Sequence, residues 1–205
     1  QRPPVGVHTL LMEGTHVRPA GSAKLGLTER GVEEELLALC RATPGVVFVS
    51  YSGQNIDRLV SVHRAALRAG RELVVDLYGA TMGTATGNPR IPQPGHRGLR
   101  VLVPHRQRVK IRREGCFERV DALGEGRVYP RELKANPGRF IITLRANVLP
   151  AIEKGCDLRG AHAVWSMWDG YLEQGNSKMV RDFAEKHAVP LTSIHASGHA
   201  TVNEL

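Results

Sequence analysis

Two rhythms of apolar residues alternate along this chain. Short, almost unbroken apolar runs occur at Val46-Val47-Phe48-Val49-Ser50, Glu72-Leu73-Val74-Val75-Asp76-Leu77, Gly138-Arg139-Phe140-Ile141-Ile142-Thr143-Leu144 and Ala161-His162-Ala163-Val164-Trp165-Ser166. Runs of this length and continuity predict strands covered on both faces. Between them the spacing lengthens to that of a helix with one buried side. Thr28 can cap a helix through about Arg41, with Val32, Leu36, Leu37 and Cys40 on its apolar face. A second helix places Ile56, Leu59, Val60, His63 and Leu67 inward, and a third, from Asn176 or Ser177 to His187, does so with Met179, Val180, Phe183, Ala184 and His187. Val7-His8-Thr9-Leu10-Leu11-Met12 predicts an earlier strand, Leu99-Arg100-Val101-Leu102-Val103-Pro104 a short strand or extended segment, and Pro190-Leu191-Thr192-Ser193-Ile194 a last one. The pattern weakens across residues 78–89, and residues 91–95 read as a turn or loop. Strand, helix, strand at this spacing is the βαβ unit, whose right-handed crossover makes the strands parallel. The expectation is a three-layer, Rossmann-like α/β fold with a mainly parallel sheet.

Composition narrows the class without adding a motif. The 205 residues fit one domain, and 41% hydrophobic with 23% charged residues excludes a fibrous or disordered chain. No apolar run reaches membrane-spanning length. Three widely spaced cysteines with no CxxC suggest neither a disulfide framework nor a zinc knuckle, and fit a reducing cytoplasm. A start at Gln1-Arg2-Pro3-Pro4, and a last stretch that opens like a helix, suggest a piece of a longer polypeptide. The net charge of +8 is concentrated in arginine between Arg97 and Arg119, including Arg106, Arg108, Lys110, Arg112 and Arg113. That section reads as an amphipathic helix whose basic side is a solvated face, and it favours polyanionic partners.

Chemistry gathers where predicted strands end. Ligands of open α/β sheets bind outside the carboxyl ends of the strands, so Glu13, Ser52, Asn55 and the stretch Ile194-His195-Ala196-Ser197-Gly198-His199-Ala200 are the candidates. His195 and His199 can each carry a proton near neutral pH, while Ser197 and the amides around Gly198 can bind an anion such as phosphate. Tyr51-Ser52-Gly53-Gln54-Asn55 is a turn opening a helix, which can hold an anion with amides and hydroxyls. A polar turn with two exposed histidines is the plainer reading of the same late residues. His63, on an apolar helix face, reads as a satisfied core or boundary histidine.

In order, these parts resemble the β-CASP branch of the metallo-β-lactamase hydrolases. Leu10-Leu11-Met12-Glu13-Gly14-Thr15 resembles motif A (about residues 7–16), and His195-Ala196-Ser197-Gly198-His199-Ala200 is similar to the HASGHA form of motif B (about residues 191–200) in ribonuclease J-like members. The run from Phe48 to Arg58 is similar to the turn that opens the inserted CASP domain. The resemblance implies a lid domain over residues 1–205, with the HxHxDH-bearing metallo-β-lactamase domain absent from this chain. It implies a zinc-dependent nuclease whose two zinc ions take their ligands outside this chain, with no metal ligand here. Glu13 and His199 would be catalytic, the carboxylate orienting the imidazole and raising its pKa. Ser52, Asn55, His195, Ser197 and Gly198 would hold the phosphate. RNA or another nucleic acid would be the substrate, the chain's own metallo-β-lactamase domain the partner, the location cytoplasmic without a membrane role, and the fragment inactive alone; a homo-oligomer is compatible. The alternatives are a metallo-hydrolase of a small phosphoester and a non-catalytic α/β binding module. The absence of GxGxxG after the early strands disfavours a nucleotide-binding dehydrogenase.

Overall fold

The computed structural model describes residues 5–9 and 27–197. The chain divides into a smaller unit, Gln1–Gly26 with Ser197–Leu205, and a larger one, Leu27–Ala196. In the larger unit the order is α1 (Glu29–Ala42), β1 (Val47–Ser50), α2 (Ile56–Arg68), β2 (Glu72–Asp76), α3 (Leu77–Ala85), β3 (Leu99–Leu102), α4 (His105–Glu114) and α5 (Glu118–Asp121). There follow β4 (Arg127–Val128), α6 (Pro130–Ala135), β5 (Phe140–Thr143), α7 (Leu149–Gly155), β6 (His162–Trp165), α8 (Lys178–Lys186) and β7 (Leu191–Ser193). Among the described residues the seven strands form one sheet in the order β4-β3-β2-β5-β1-β6-β7. Every pairing is parallel. The fold is a three-layer, Rossmann-like α/β fold.

Period-two alternation sorts each strand's side chains between two cores. Val47, Val49, Leu73, Val75, Ile141 and Val164 pack on one face of the sheet with Val32 and Leu36 of α1, Val62 of α2 and Ile111 of α4. Phe48, Val74, Ile142 and Trp165 pack on the other with Leu133 of α6, Ile152 of α7 and Phe183 of α8. Phe48 and Phe183 meet edge to face, with ring centroids 5.5 Å apart. Both faces of the central strands are therefore dry, which explains their unbroken apolar runs. Both edges of the sheet are short, two residues at β4 and three at β7, which limits strand addition.

Helix ends follow local chemistry. Thr28 accepts from the Gly31 amide and opens α1, and Asn55 accepts from the Arg58 amide and opens α2. Arg71, 9% exposed, gathers the far end of α1. Its guanidinium donates to the carbonyls of Cys40 and Gly45, each at 2.8 Å, and also to that of Thr43. These acceptors lie beyond the reach of intrahelical donors, and one side chain satisfies them.

Several expectations change. Residues 7–9, expected as the start of a strand, are not in one, and Val7 is 56% exposed. A strand needs a neighbour's ladder, which an apolar run does not itself supply; residues 10–12 lie outside the described residues. Where the pattern weakened, the chain forms α3, capped by the Asp76 carboxylate accepting from the Gly79 amide at 2.9 Å. Its sequence, LYGATMGTA, has two glycines and no apolar stripe, so periodicity is silent there. β4 and α6 were likewise unforeseen, although Pro130 at the first helical position and Glu132, accepting from the Tyr129 amide at 2.9 Å, are start signals. Met179 is exposed, not inward. The basic section does form a helix, α4. No helix among the described residues is long and apolar enough to cross a membrane.

Replacing Arg71 by Met leaves buried carbonyls without donors. Thermal unfolding followed by circular dichroism should show a loss of about 3 kcal/mol and a melting temperature lower by about 10 °C. An unchanged melting temperature would mean that water replaces the guanidinium.

Candidate functional site

All seven strands end at the same edge of the sheet, and the topology selects a place on it. After β2 the chain steps outward to β3 and β4, whereas after β5 it steps the other way to β6 and β7. Crossovers leaving neighbouring strands in opposite directions open a crevice at the carboxyl ends, the usual ligand position in this architecture. A cavity of about 390 Å³ lies there, lined by Ser52 and Gly53 after β1, Asp76 and Tyr78 after β2, and Arg145 and Asn147 after β5.

Asp76 organises this crevice. Only 2% exposed, it accepts from the Gly79 amide, from Gln107 Nε2 and from Asn147 Nδ2, each at 2.9 Å. One carboxylate thus holds the start of α3, a side chain of α4 and the loop after β5. Arg145 is different. Its guanidinium lies 5.0 Å from the Tyr78 ring centroid, its buried Nε has no hydrogen-bond partner, and it makes no ion pair among the described residues. A Cβ on Gly53 would collide with Arg145 Nη2. Glycine at 53 is therefore required by close approach, and it lets an uncompensated cation settle against the Ser52 turn. A half-buried guanidinium with unfilled donors is a receptor for a carboxylate or phosphate.

A second centre lies on the other side of β1. Arg58, in the first turn of α2, is wholly buried. Its Nε and Nη2 donate to the Glu29 carboxylate at 3.0 and 2.9 Å, its Nη1 to the Ser166 carbonyl at 2.7 Å and to Ser166 Oγ, and its Nη2 to the Ala196 carbonyl at 3.1 Å. Ser166 Oγ passes the link on, donating to the Ile194 carbonyl at 2.5 Å. Ser61 Oγ donates to Glu29 at 2.9 Å. The starts of α1 and α2 and the ends of β6 and β7 are joined through one side chain. Burial alone would raise the Glu29 carboxyl, but the hydrogen bonds and charge of Arg58, with the Ser61 hydroxyl, outweigh it and hold the group below its ordinary range.

Of the residues singled out in the sequence, Ser52 and Asn55 lie in the turn after β1. Ser52 is exposed, and its carbonyl accepts from the Asn55 amide at 2.9 Å. Asn55 spends Oδ1 on the cap of α2, with Arg58 N at 2.9 Å, which leaves its Nδ2 donor uncommitted by the cap. His195 follows β7, half-buried, with Nδ1 buried and lacking a partner of good geometry. Two strand spacings, on the order of 10 Å, separate the ends of β1 and β7, and Arg58 spans that interval. Burial first, then the charge of Arg58, push the His195 imidazole below its ordinary value; the Ser166 carbonyl, Asp169 and Glu29 oppose this without reversing it. At neutral pH His195 is thus largely uncharged and meets an anion as a hydrogen-bond donor, not as the cation that the sequence alone suggested. Ser197 is half-buried and opens the smaller unit's second segment. Glu13, Gly198 and His199 lie outside the described residues. His63 is a satisfied boundary histidine, 8% exposed with Nε2 2.9 Å from the Arg97 carbonyl.

Arg145 and Arg58 were missed in the sequence. Arg58 had a signal: an arginine beside Leu59, Val62 and Ala66 must be buried and so needs a carboxylate. Arg145 had none, since its significance is a missing partner. Among the described residues no three His, Cys, Asp or Glu side chains converge as a metal site, and all three cysteines are free.

Arg58→Met strands a half-buried carboxylate and two carbonyls, and is expected to destabilise the chain by about 3–5 kcal/mol in urea unfolding. Because the folded Glu29 carboxyl titrates below its ordinary 4.5, its ionic contribution is full above that pH and is lost as pH falls through the folded value. The stability gap between the unaltered chain and Glu29→Gln should therefore narrow below pH 4.5; a constant gap would remove the ionic share. For His195, imidazole resonances in NMR should titrate with a midpoint below 6.5, and a midpoint at or above it would contradict the burial described.

No protein-family model matches this chain, and no curated protein matches it significantly. Among solved structures the chain is similar to a protein of unknown function from Enterococcus faecalis V583, with 12% sequence identity and a TM-score of 0.57. The match covers 90% of this chain and 37% of that one, so the chain spans little more than a third of that protein's length. At this identity the likeness establishes the three-layer α/β fold and nothing finer.

Proposed function

We propose that this chain is the substrate-side α/β domain of a β-CASP-type metallo-β-lactamase-fold hydrolase that cleaves phosphodiester bonds in nucleic acid, with RNA as the favoured substrate. The observation that carries the proposal is Arg145, a guanidinium that makes no ion pair among the described residues, at the topological switch point and set against the Ser52-Gly53 turn. The motif resemblance supplies the reaction class, and the neutral sheet edge around His195 suits a phosphate held by hydrogen bonds.

In this reading Arg145 and Ser52 Oγ bind a non-bridging phosphate oxygen, and His195 donates a further hydrogen bond. Asn147 is held in place by Asp76 and orients the strand beside it. Glu13 and His199 keep the roles that the resemblance implies, a carboxylate steering an imidazolium that protonates the leaving oxygen. The described residues do not fit a zinc ion, because no suitable donors converge. The resemblance assigns the two metal ions of the family to ligands outside this chain, and the cysteine usage favours a cytoplasmic location.

The intact gene product, assayed with zinc or manganese against single-stranded RNA, single-stranded DNA and bis-p-nitrophenyl phosphate, tests the reading. RNA should be hydrolysed. Arg145→Gln should raise KM for RNA by about tenfold or more, the worth of one charge-assisted hydrogen bond, with a smaller effect on kcat. His199→Ala should lower kcat while metal content is unchanged. Cleavage of the small diester without RNA would favour a small phosphoester substrate, and no hydrolysis with any of the three would leave a binding module.

A further inference from the structure

A second cavity, of about 370 Å³, lies farther along the same sheet edge, beyond β3 and β4, and Asn147 lines both it and the crevice. Its floor is apolar, formed in part by Leu102, Val128 and Pro150. Its rim carries Arg106 and Arg108 of α4, Arg127 of β4 and Lys154 of α7, and among the described residues no acidic side chain lines it. None of these four cations enters an ion pair among the described residues. Some other surface arginines, Arg68, Arg139, Arg159 and Arg181, are each paired to a carboxylate, while others such as Arg64 and Arg112 stand exposed without one among the described residues. The basic section is thus more than a solvated face at its N-terminal end, where like charges converge on a hollow and repel one another unless an anion enters.

The remaining wall has a planar group. Tyr129 is 42% exposed, and the guanidinium carbons of Arg127 and Arg131 lie 4.7 and 5.6 Å from its ring centroid. Stacked aromatic and guanidinium planes are platforms on which unstacked bases lie, and cations beside them meet the phosphates. The volume falls within the range of small-ligand pockets.

We infer that this pocket binds one nucleoside phosphate unit, its base on the Arg127-Tyr129 platform and its phosphate among Arg106, Arg108 and Lys154. The choice of a substrate strand as the source of that unit rests on the proposed function, and Asn147 is where the strand passes from the crevice into the pocket. The pocket itself stands on its own geometry.

Binding of a fluorescein-labelled ten-nucleotide oligouridylate and of uridine monophosphate to the 205-residue chain separates the possibilities. Tyr129→Ala should weaken oligomer binding by about tenfold, the loss of one stacked base. Arg106→Gln with Arg108→Gln should weaken it as well and reduce the slope of log K against log salt by about 0.7, one phosphate contact on a single strand. These positions are exposed, and unchanged circular dichroism and melting should accompany the losses. Weaker binding of the oligomer alone supports a strand subsite, and weaker binding of both probes supports a pocket that also accepts a free nucleotide. If neither substitution affects either probe while Arg145→Gln weakens both, the pocket is overturned and the crevice reading stands. If the unaltered chain binds neither probe, the pocket is overturned too. Hydrolysis by the intact gene product is a separate readout, so binding here without hydrolysis would sink the proposed function and not this inference.

Discussion

The buried guanidinium of Arg58 is the interaction on which the carboxyl edge of this sheet depends. A charge taken wholly out of water is tolerable only when its donors are filled and a counter-ion is near, and Arg58 meets both conditions with groups from three separate elements. Glu29 belongs to the first helix, Ser166 to the end of β6, and the Ala196 carbonyl to the end of β7. Each is far from the others in sequence. The requirement to satisfy one side chain therefore fixes where the last strand's exit lies relative to the first helix pair. Packing alone, being non-directional, would leave that exit less defined.

Asp76 plays the matching part at the centre of the sheet, with a carboxylate in place of a guanidinium and three neutral donors in place of acceptors. The two hubs stand on either side of β1, and the Ser52 turn runs between them. Arg145 lies close by and has no such arrangement. The contrast gives the crevice its chemical meaning, since the two hubs fill their polar groups while Arg145 makes no ion pair among the described residues.

Much of the scaffold was legible in the sequence because central parallel strands must be apolar on both faces and their helices on one. Thr28, Val32, Leu36, Leu37 and Cys40 specified α1 nearly to the residue, and Asn55 announced α2. What escaped were elements without such a signature. α3 has an N-terminal carboxylate but no stripe, and β4 is only two residues long. Of the site, the Ser52 and His195 turns could be found from their place after strands, whereas Arg145 could not, because an unpaired charge is a property of three dimensions. The lowered pKa of His195 was not legible either, since its causes are burial first and then Arg58, which lies 137 positions earlier in the chain.

The clamp on the end of β7 grips main-chain oxygens, those of Ile194 and Ala196, and touches neither residue's side chain. The clamp consequently fixes the loop's path through main-chain atoms and not through the side chain of residue 195. A lineage can exchange the imidazole for another group and keep the loop's path, so that chemistry at this edge can drift while its architecture is inherited unchanged.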